Sequence, residues 1–276
     1  MRVLVTGAAG LLGRALLGSA PAHVEVHATR SRRQVHGAGV TVHAVDLANA
    51  AATEALVADV APELVVHTAY RKDTGERDIV EATAAVAAAC ARHVVGLVHL
   101  SSDVVFDGER APYAEDAPPA PLTAYGRWKA RAEEAVRTTL PDASVVRTSL
   151  LVQADPLDAT SRWVAEGLER GETLRLFTDE LRCPIAPADL AAMLWELVRL
   201  PAEARAGTWH LAGPEAVSRY TLGLLVAARL GRAPAFAAAS SREHPEPRPR
   251  DLRLATGRAD AQLRARARPV SAALMA

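Results

Sequence analysis

Cysteine, net charge and long apolar runs are what this sequence has least of, and each shortage narrows what the chain can be. Its 276 residues include two cysteines, Cys90 and Cys183, far apart and outside any CxxC spacing. That gives no metal framework and fits a reducing compartment. Both are expected to be structural thiols. Lysine and arginine balance aspartate and glutamate at 32 each, so no overall field calls for a nucleic acid or an anionic membrane as partner. A small-molecule ligand is expected instead. The longest candidate span, residues 82–98, is alanine-rich and broken by Arg92 and His93, short of the roughly 20 apolar residues a crossing needs. The first apolar run already begins at Val3, which leaves no room for a charged leader and makes the cytoplasm the expected location. The nine histidines fall at no metal-ligand spacing, and no internal repeat is present.

Half of the residues are apolar, enough to bury a substantial core as one large domain or one domain with a smaller lobe. Residues 2–6 (RVLVT) form a short β-branched run that stops at glycine, as a buried parallel strand does. A helix is expected over 10–19, strands over 24–28 and 40–45, a helix over 51–60 and a fourth strand over 64–67. An alanine-rich helix over 76–92, an almost continuous apolar strand over 94–100, a helix over 123–138 and a strand over 144–147 continue the alternation. Residues 1–150 therefore read as an α/β unit, a Rossmann-type doubly wound parallel sheet. Beyond residue 150 the rhythm is irregular, with helices expected over 160–170, 187–199 and 219–230 and a short strand over 208–211. Residues 151–276 are expected to form a smaller C-terminal lobe, interleaved with the first unit and not folding alone. The stretch 240–251 (SSREHPEPRPRD) has the proline-rich, charged composition of a mobile loop or linker.

Three glycines at three-residue spacing, Gly7, Gly10 and Gly13, stand between the first strand and the first helix in the run TGAAGLLG, with Leu11 and Leu12 inside it. Glycine permits the tight turn and lets backbone approach a pyrophosphate, and the helix N-terminus offers free amides to it. In that context the motif points to a dinucleotide; a glycine-rich turn without ligand is the plainer reading. An NAD-preferring chain usually carries an acid about 20 residues further on. Here the region reads Ala28-Thr29-Arg30-Ser31-Arg32-Arg33, without a carboxylate. Arginine forks well onto phosphate, so NADPH is favoured, NADH remains open, and a solvated basic loop is the alternative. Asp46-Leu47, after the third strand, falls where an adenine ring would be reached, or Asp46 simply starts a helix.

Tyr125 and Lys129 lie four residues apart, on one face of a helix. A phenol of pKa about 10 is a poor acid at neutral pH, and a neighbouring ammonium favours the phenolate. The pair interacts by roughly 1 kcal/mol in water and about 4 kcal/mol at an effective dielectric near 20, so it needs a roofed cleft. Taken alone it is also ordinary helical spacing. Ser101-Ser102-Asp103 ends the fifth expected strand, at the carboxyl edge where open α/β sheets bind ligands. A hydroxyl there can bond a substrate carbonyl while Tyr125 delivers a proton and a nicotinamide delivers hydride. Strand-ending serines are also frequent caps, and Asp103 either caps a turn or orients a substrate hydroxyl.

Together these residues resemble a known family. The run Ser101–Gly108 (SSDVVFDG), then Pro112-Tyr113-Ala114-Glu115-Asp116, then Pro121 through Tyr125-Gly126 and Lys129, is similar to the dTDP-4-dehydrorhamnose reductase group of extended short-chain dehydrogenases. Cys183-Pro184-Ile185 with Asp189-Leu190, the segment Gly207–Gly213 and Arg248-Pro249-Arg250-Asp251 follow in the family's order. The resemblance implies a Rossmann domain with a small substrate lobe, NAD(P)H, and reduction of a 4-keto group on a nucleotide-linked deoxysugar. It puts the catalytic hydroxyl, tyrosine and lysine on Ser102, Tyr125 and Lys129, with Asp103 beside them. Thr68, Ala69 and Tyr70, after His67, fall at the family's cofactor-contacting strand end, and Lys129 is counted with the cofactor contacts too.

The chain also departs from that pattern. Val104 stands where the family usually has tyrosine, and residues 71–83 lack its Val-Asn pair. A magnesium-linked glutamate of some members has become Ala15, so no metal is expected. Arg182-Cys183-Pro184 replaces a more usual Gly-Ser-Pro. Two other functions stay open: a sugar-nucleotide epimerase or dehydratase, and a non-catalytic NADP-binding regulatory subunit. The chain is expected to be a monomer or homodimer. Trp128 and Trp163 line a pocket or pack the core, His93, His99 and His210 are packing or surface residues, and Glu133-Glu134 and Arg264, Arg266 and Arg268 are expected on solvated faces.

Overall fold

Short apolar runs become strands here because helices cover both faces of the sheet they form. In the computed structural model, which describes residues 1–35, 37, 39–71 and 74–275, β1 (Arg2–Thr6) leads into α1 (Leu11–Gly18), followed by β2 (Glu25–Arg30), β3 (Thr41–Ala44), α2 (Ala50–Val60) and β4 (Leu64–His67). Then come α3 (Ala82–His93), β5 (Gly96–Ser102), α4 (Ala124–Thr139) and β6 (Ser144–Thr148). The later part contains α5 (Ala159–Glu169), β7 (Leu174–Phe177), β8 (Leu181–Arg182), α6 (Pro187–Arg199), α7 (Ala202–Arg205), β9 (Gly207–Leu211) and β10 (Val217–Ser218). It ends with α8 (Arg219–Arg229), β11 (Phe236–Ala239), α9 (Gly257–Gln262) and α10 (Val270–Met275).

Seven strands pair in parallel in the order β3-β2-β1-β4-β5-β6-β9. The order reverses between β1 and β4, the switch point at which such sheets take ligands. One face of the sheet, through Val3, Val5, Val66, Val98 and Val146, packs under α1 and α6, where Trp195 donates to Leu16 O. The opposite face, through Leu4, Val65, Leu97 and Val145, is covered by α2, α3 and the end of α4. A third cluster, with Val164, Leu174, Leu176, Leu222 and Val226, joins α5, β7 and α8 into a lobe. Residues 151–276 thus serve both layers, since β9 closes the main sheet and α6 lies on α1. Among the described residues no helix is long and apolar enough to cross a membrane.

Several expected boundaries move for local reasons. The fifth strand begins at Gly96 and not at Val94, because Val94 ends α3 in the left-handed conformation (φ 57°) and is 93% exposed. The helix expected over 76–92 opens with a π-helical turn, Arg77–Glu81, before α3. The second strand runs two residues past Ala28, which carries Arg30 into the sheet edge. The stretch 240–251 is anchored, unlike a linker: Asp179 accepts from Ser240 Oγ and Ser241 N, Arg248 Nε donates to Glu180, and Leu252 N donates to Leu181 O. Glu133, expected on a solvated face, is fully buried against Arg147. Composition cannot reveal partners this distant in sequence.

Candidate active site

The glycine turn at the switch point is as tight as backbone permits. Gly7 adopts φ 70°, and a Cβ on it would lie 2.7 Å from the Ala69 backbone. On Gly13 a Cβ would meet Gly7 O at 2.3 Å and Ala8 Cα at 2.5 Å. Gly10 caps α1 without a side chain, which leaves the first amides of that helix open. Gly7 and Gly10 line a cleft of about 1080 Å³. The other members of the run serve it from behind: Leu12 is in the core, Leu11 is half-buried, and Gly13 lets the helix close on the turn.

Across the cleft, Arg30, Arg32 and Arg33 line the end of β2, and Asp46 and Leu47 follow β3. Asp46 pairs with Arg77 of the π-helical turn, and that hydrogen bond holds its carboxyl below the usual range. Asn49, not Asp46, caps α2, accepting from Ala52 N. Thr68, Ala69 and Tyr70 line the same cleft on the β4 side.

Their placement depends on a buried histidine. Thr83 Oγ1 donates to Ile79 O at 2.5 Å, so it accepts from His67 Nε2 at 3.1 Å. That assigns the proton to Nε2 and leaves Nδ1 to accept from Thr6 Oγ1 at 2.8 Å. Thr6 Oγ1 in turn accepts from Ala69 N at 3.2 Å, while Thr68 Oγ1 donates to Thr6 O at 2.7 Å. One neutral tautomer therefore links the π-helical turn to the loop at the cleft floor. Burial holds His67 down to about 3.

Ser102 ends β5, and α4 opens with Thr123 as its cap, whose Oγ1 accepts from Gly126 N at 3.0 Å. Gly126 is required there, since a Cβ would lie 2.2 Å from Val104 O. Helical spacing brings Lys129 under Tyr125. Lys129 Nζ donates to Leu100 O at 2.7 Å and lies 5.1 Å from the centre of the Tyr70 ring. The Tyr70 and Tyr125 rings are 5.8 Å apart. Burial pushes the Tyr125 phenol well up, Tyr70 and Asp103 add to that, and Arg182 opposes it. The direction is opposite to the depression expected from Lys129, and burial is its main cause.

Asp103 is 1% exposed, and its carboxylate is taken up inside the protein. It accepts from Arg182 Nη1 at 2.8 Å, Ser149 Oγ at 2.7 Å and Ser102 Oγ at 3.2 Å. Arg182 leads to Glu180, which also meets Arg219 and Arg248; burial would raise this carboxyl, but the arginines bring it down to about 2. Sequence reasoning missed Ser149, Glu180 and Arg219, and it noted Arg182 only as a departure. Trp128 packs over Gly75, and Trp163 is 47% exposed.

A doubly wound sheet with a glycine turn at its switch point, and a Ser-Tyr-Lys set at the adjoining strand end, defines a dinucleotide-dependent oxidoreductase of the short-chain dehydrogenase type. The chain belongs to the family described as RmlD substrate binding domain, which it matches over residues 1–276. It is 35% identical over 212 residues to a probable dTDP-4,6-dihydroxy-2-methyloxan-3-one 4-ketoreductase of Streptomyces antibioticus, covering 73% of this chain and 68% of that one. It is 34% identical over 244 residues to a dTDP-4-keto-6-deoxy-D-glucose reductase of Streptomyces niveus, covering 84% and 80%. The fold is that of a dTDP-4-dehydrorhamnose reductase from Bacillus anthracis solved with NADP, at TM-score 0.85 and 21% identity over 99% of this chain and 97% of that one.

Proposed function

We propose that the chain reduces a keto group, at C4, on a nucleotide-activated deoxysugar with NADPH. The observation that carries this reading is the buried Tyr125 phenol, one helical turn before Lys129, with its ring 5.8 Å from that of Tyr70, which lines the glycine-turn cleft. The residues of the cleft fit a dinucleotide: the turn leaves no room for side chains where a pyrophosphate would pass, and the open α1 amides face it. Arg30, Arg32 and Arg33 suit the extra phosphate that distinguishes NADPH from NADH. Residues 1–150 supply this cofactor half, and residues 151–276 supply most of the contacts to the sugar nucleotide.

NADPH, held by the glycine turn and the arginines after β2, would supply the hydride of the reduction. Ser102 Oγ donates to the carbonyl oxygen, and Tyr125 passes its proton to that oxygen as negative charge develops. The ketone becomes an alcohol and the phenol a phenolate, which the Lys129 ammonium stabilises until a solvent proton restores it. The cytoplasm, where NADPH is maintained, is the proposed compartment, and both cysteines are free and buried in keeping with it.

Titration with NADPH and NADH, followed by the absorbance of reduced nicotinamide after adding a dTDP-4-keto-6-deoxysugar, tests the reading. NADPH binding with oxidation on sugar addition is expected. Binding without oxidation across several keto-sugars would replace it with the regulatory-subunit reading, and product that has changed configuration or lost water, with no net oxidation of the nicotinamide, would indicate an epimerase or dehydratase.

A further inference from the structure

Arg182, which stands in place of the family's more usual glycine, is 5% exposed and reaches from the lobe to the catalytic strand end. Its place is set by the backbone around it: Leu181 N donates to Arg250 O, Leu252 N donates to Leu181 O, and Cys183 N donates to Ser149 Oγ. From there Nη1 donates to Asp103 Oδ1 at 2.8 Å and Nη2 to Glu180 Oε1 at 3.4 Å.

Asp103 Oδ1 is shared. Ser102 Oγ donates to the same oxygen at 3.2 Å, so one carboxylate draws on both the guanidinium and the hydroxyl that the reaction needs. A charged donor holds a carboxylate more strongly than a neutral hydroxyl. With Arg182 in place the anion is compensated, and the longer bond from Ser102 is the one surrendered to an incoming carbonyl oxygen. Without it, the buried carboxylate would have no counter-charge and only the Ser149 and Ser102 hydroxyls as donors, and would hold on to the Ser102 proton. The same anion acts on Tyr125, together with Tyr70 from the segment after β4 and Arg182 from β8, and Lys129, one turn further along the helix, lies over the Tyr70 ring. An uncompensated Asp103 would oppose the phenolate that must form as the proton leaves.

We propose that Arg182 is a positioning residue of the reduction: paired with Asp103, it frees the Ser102 hydroxyl for the substrate carbonyl and offsets the negative charge beside the Tyr125 phenol. This rests on the ketoreductase reading. The chemistry predicts an unusual rescue, in which removing a second charge repairs the loss of the first.

The test compares the steady-state kinetics of the intact protein with R182M, D103N and R182M/D103N, using NADPH and a dTDP-4-keto-6-deoxysugar, with NADPH affinity measured separately. For R182M, kcat is expected to fall about tenfold or more while NADPH affinity stays within about twofold and KM for the sugar moves less than kcat. The double variant is expected to return to within about threefold of D103N alone, the non-additivity of a direct pair. The rescue also requires the double variant to be at least about fivefold faster than R182M; an R182M rate close to that of the unchanged protein, or a double variant no faster than R182M whatever the rate of D103N, would overturn the proposal. If R182M does not fold, the double variant decides against D103N: within about threefold supports the proposal, and a loss of about tenfold or more overturns it. An unchanged protein that binds NADPH but oxidises none of it sinks the ketoreductase reading and this proposal with it, whereas an active protein with an indifferent Arg182 sinks only the latter.

Discussion

Glu133 Oε2 lies 2.9 Å from Arg147 Nη2, with both side chains closed off from solvent. Glu133 follows Lys129 by one helical turn, so the face of α4 that carries Tyr125 and Lys129 ends on this ion pair. Arg147 Nε also bonds the carboxylate, its Nη1 reaches Glu115 O and Ala117 O, and its guanidinium lies 4.9 Å from the Phe106 ring centre. Removing one member of a buried pair leaves the other charge uncompensated, at a cost of about 3–5 kcal/mol. Glu133→Ala is therefore expected to lose that much in denaturant unfolding. A loss below about 1 kcal/mol, the range of exposed pairs, would show that the pair does not hold α4.

The turn at β1 predicts a binding defect. Gly13→Ala puts a methyl within 2.5 Å of the turn backbone, so α1 must move away from Gly7 and take its free amides with it. NADPH affinity is expected to fall by roughly tenfold or more, about 1.4 kcal/mol for each factor of ten. Gly18→Ala, where nothing lies within 4 Å, is the control and should bind normally. Equal affinities in the two variants would detach the turn from the cofactor.

How much of this was legible in the sequence depends on range. Leu64–His67 and Pro187–Arg199 form where the pattern puts them, because a buried strand and a Pro-started amphipathic helix are specified by adjacent residues. The Tyr125–Lys129 spacing and the glycine turn are local in the same sense. Asp103 and Arg182 stand 79 positions apart, and nothing near either one announces the other. The same holds for Glu180, whose three arginines come from β8, from α8 and from the stretch that composition alone makes a linker. Residue 94 misled for another reason: two valines in a row look like a strand start, but the chain needs its left-handed residue there to leave α3.

Cofactor choice should follow the arginines after β2. Arg30 lines the cleft at the end of that strand, with Arg32 and Arg33 in the following turn. A guanidinium bound to a phosphate gives a charge-assisted bond of about 1.5–3 kcal/mol. The variant Arg30→Ala is expected to lower the NADPH-to-NADH affinity ratio by roughly tenfold, at about 1.4 kcal/mol per factor of ten, with NADH binding little changed. An unchanged ratio in this variant and in the Arg32→Ala/Arg33→Ala pair would remove the basis for NADPH preference.

Stability should fall in mild acid, and the buried histidines give the sign. Burial lowers His67 from 6.5 to about 3 and His210 to about 4, and it takes His99 well below 6.5. Each is neutral in the folded protein, whereas its unfolded form takes up a proton below about 6.5. Folded stability is therefore intact above pH 6.5 and declines as pH drops below it, by up to about 1.4 kcal/mol per unit for each histidine until its folded value is reached. Glu180 adds to the loss at lower pH: its carboxyl is depressed from 4.5 to about 2, so the stability from its arginine pairs is present above 4.5 and disappears on approach to 2. For His67 the loss has a visible cause, since a proton on Nδ1 displaces the Thr6 hydroxyl that also holds Ala69 N. Denaturant unfolding at pH 7 and pH 5 should show the decline, with a shallower slope in His67→Gln by about one proton. Equal unfolding free energies at the two pH values would mean that these histidines are not held neutral by the fold.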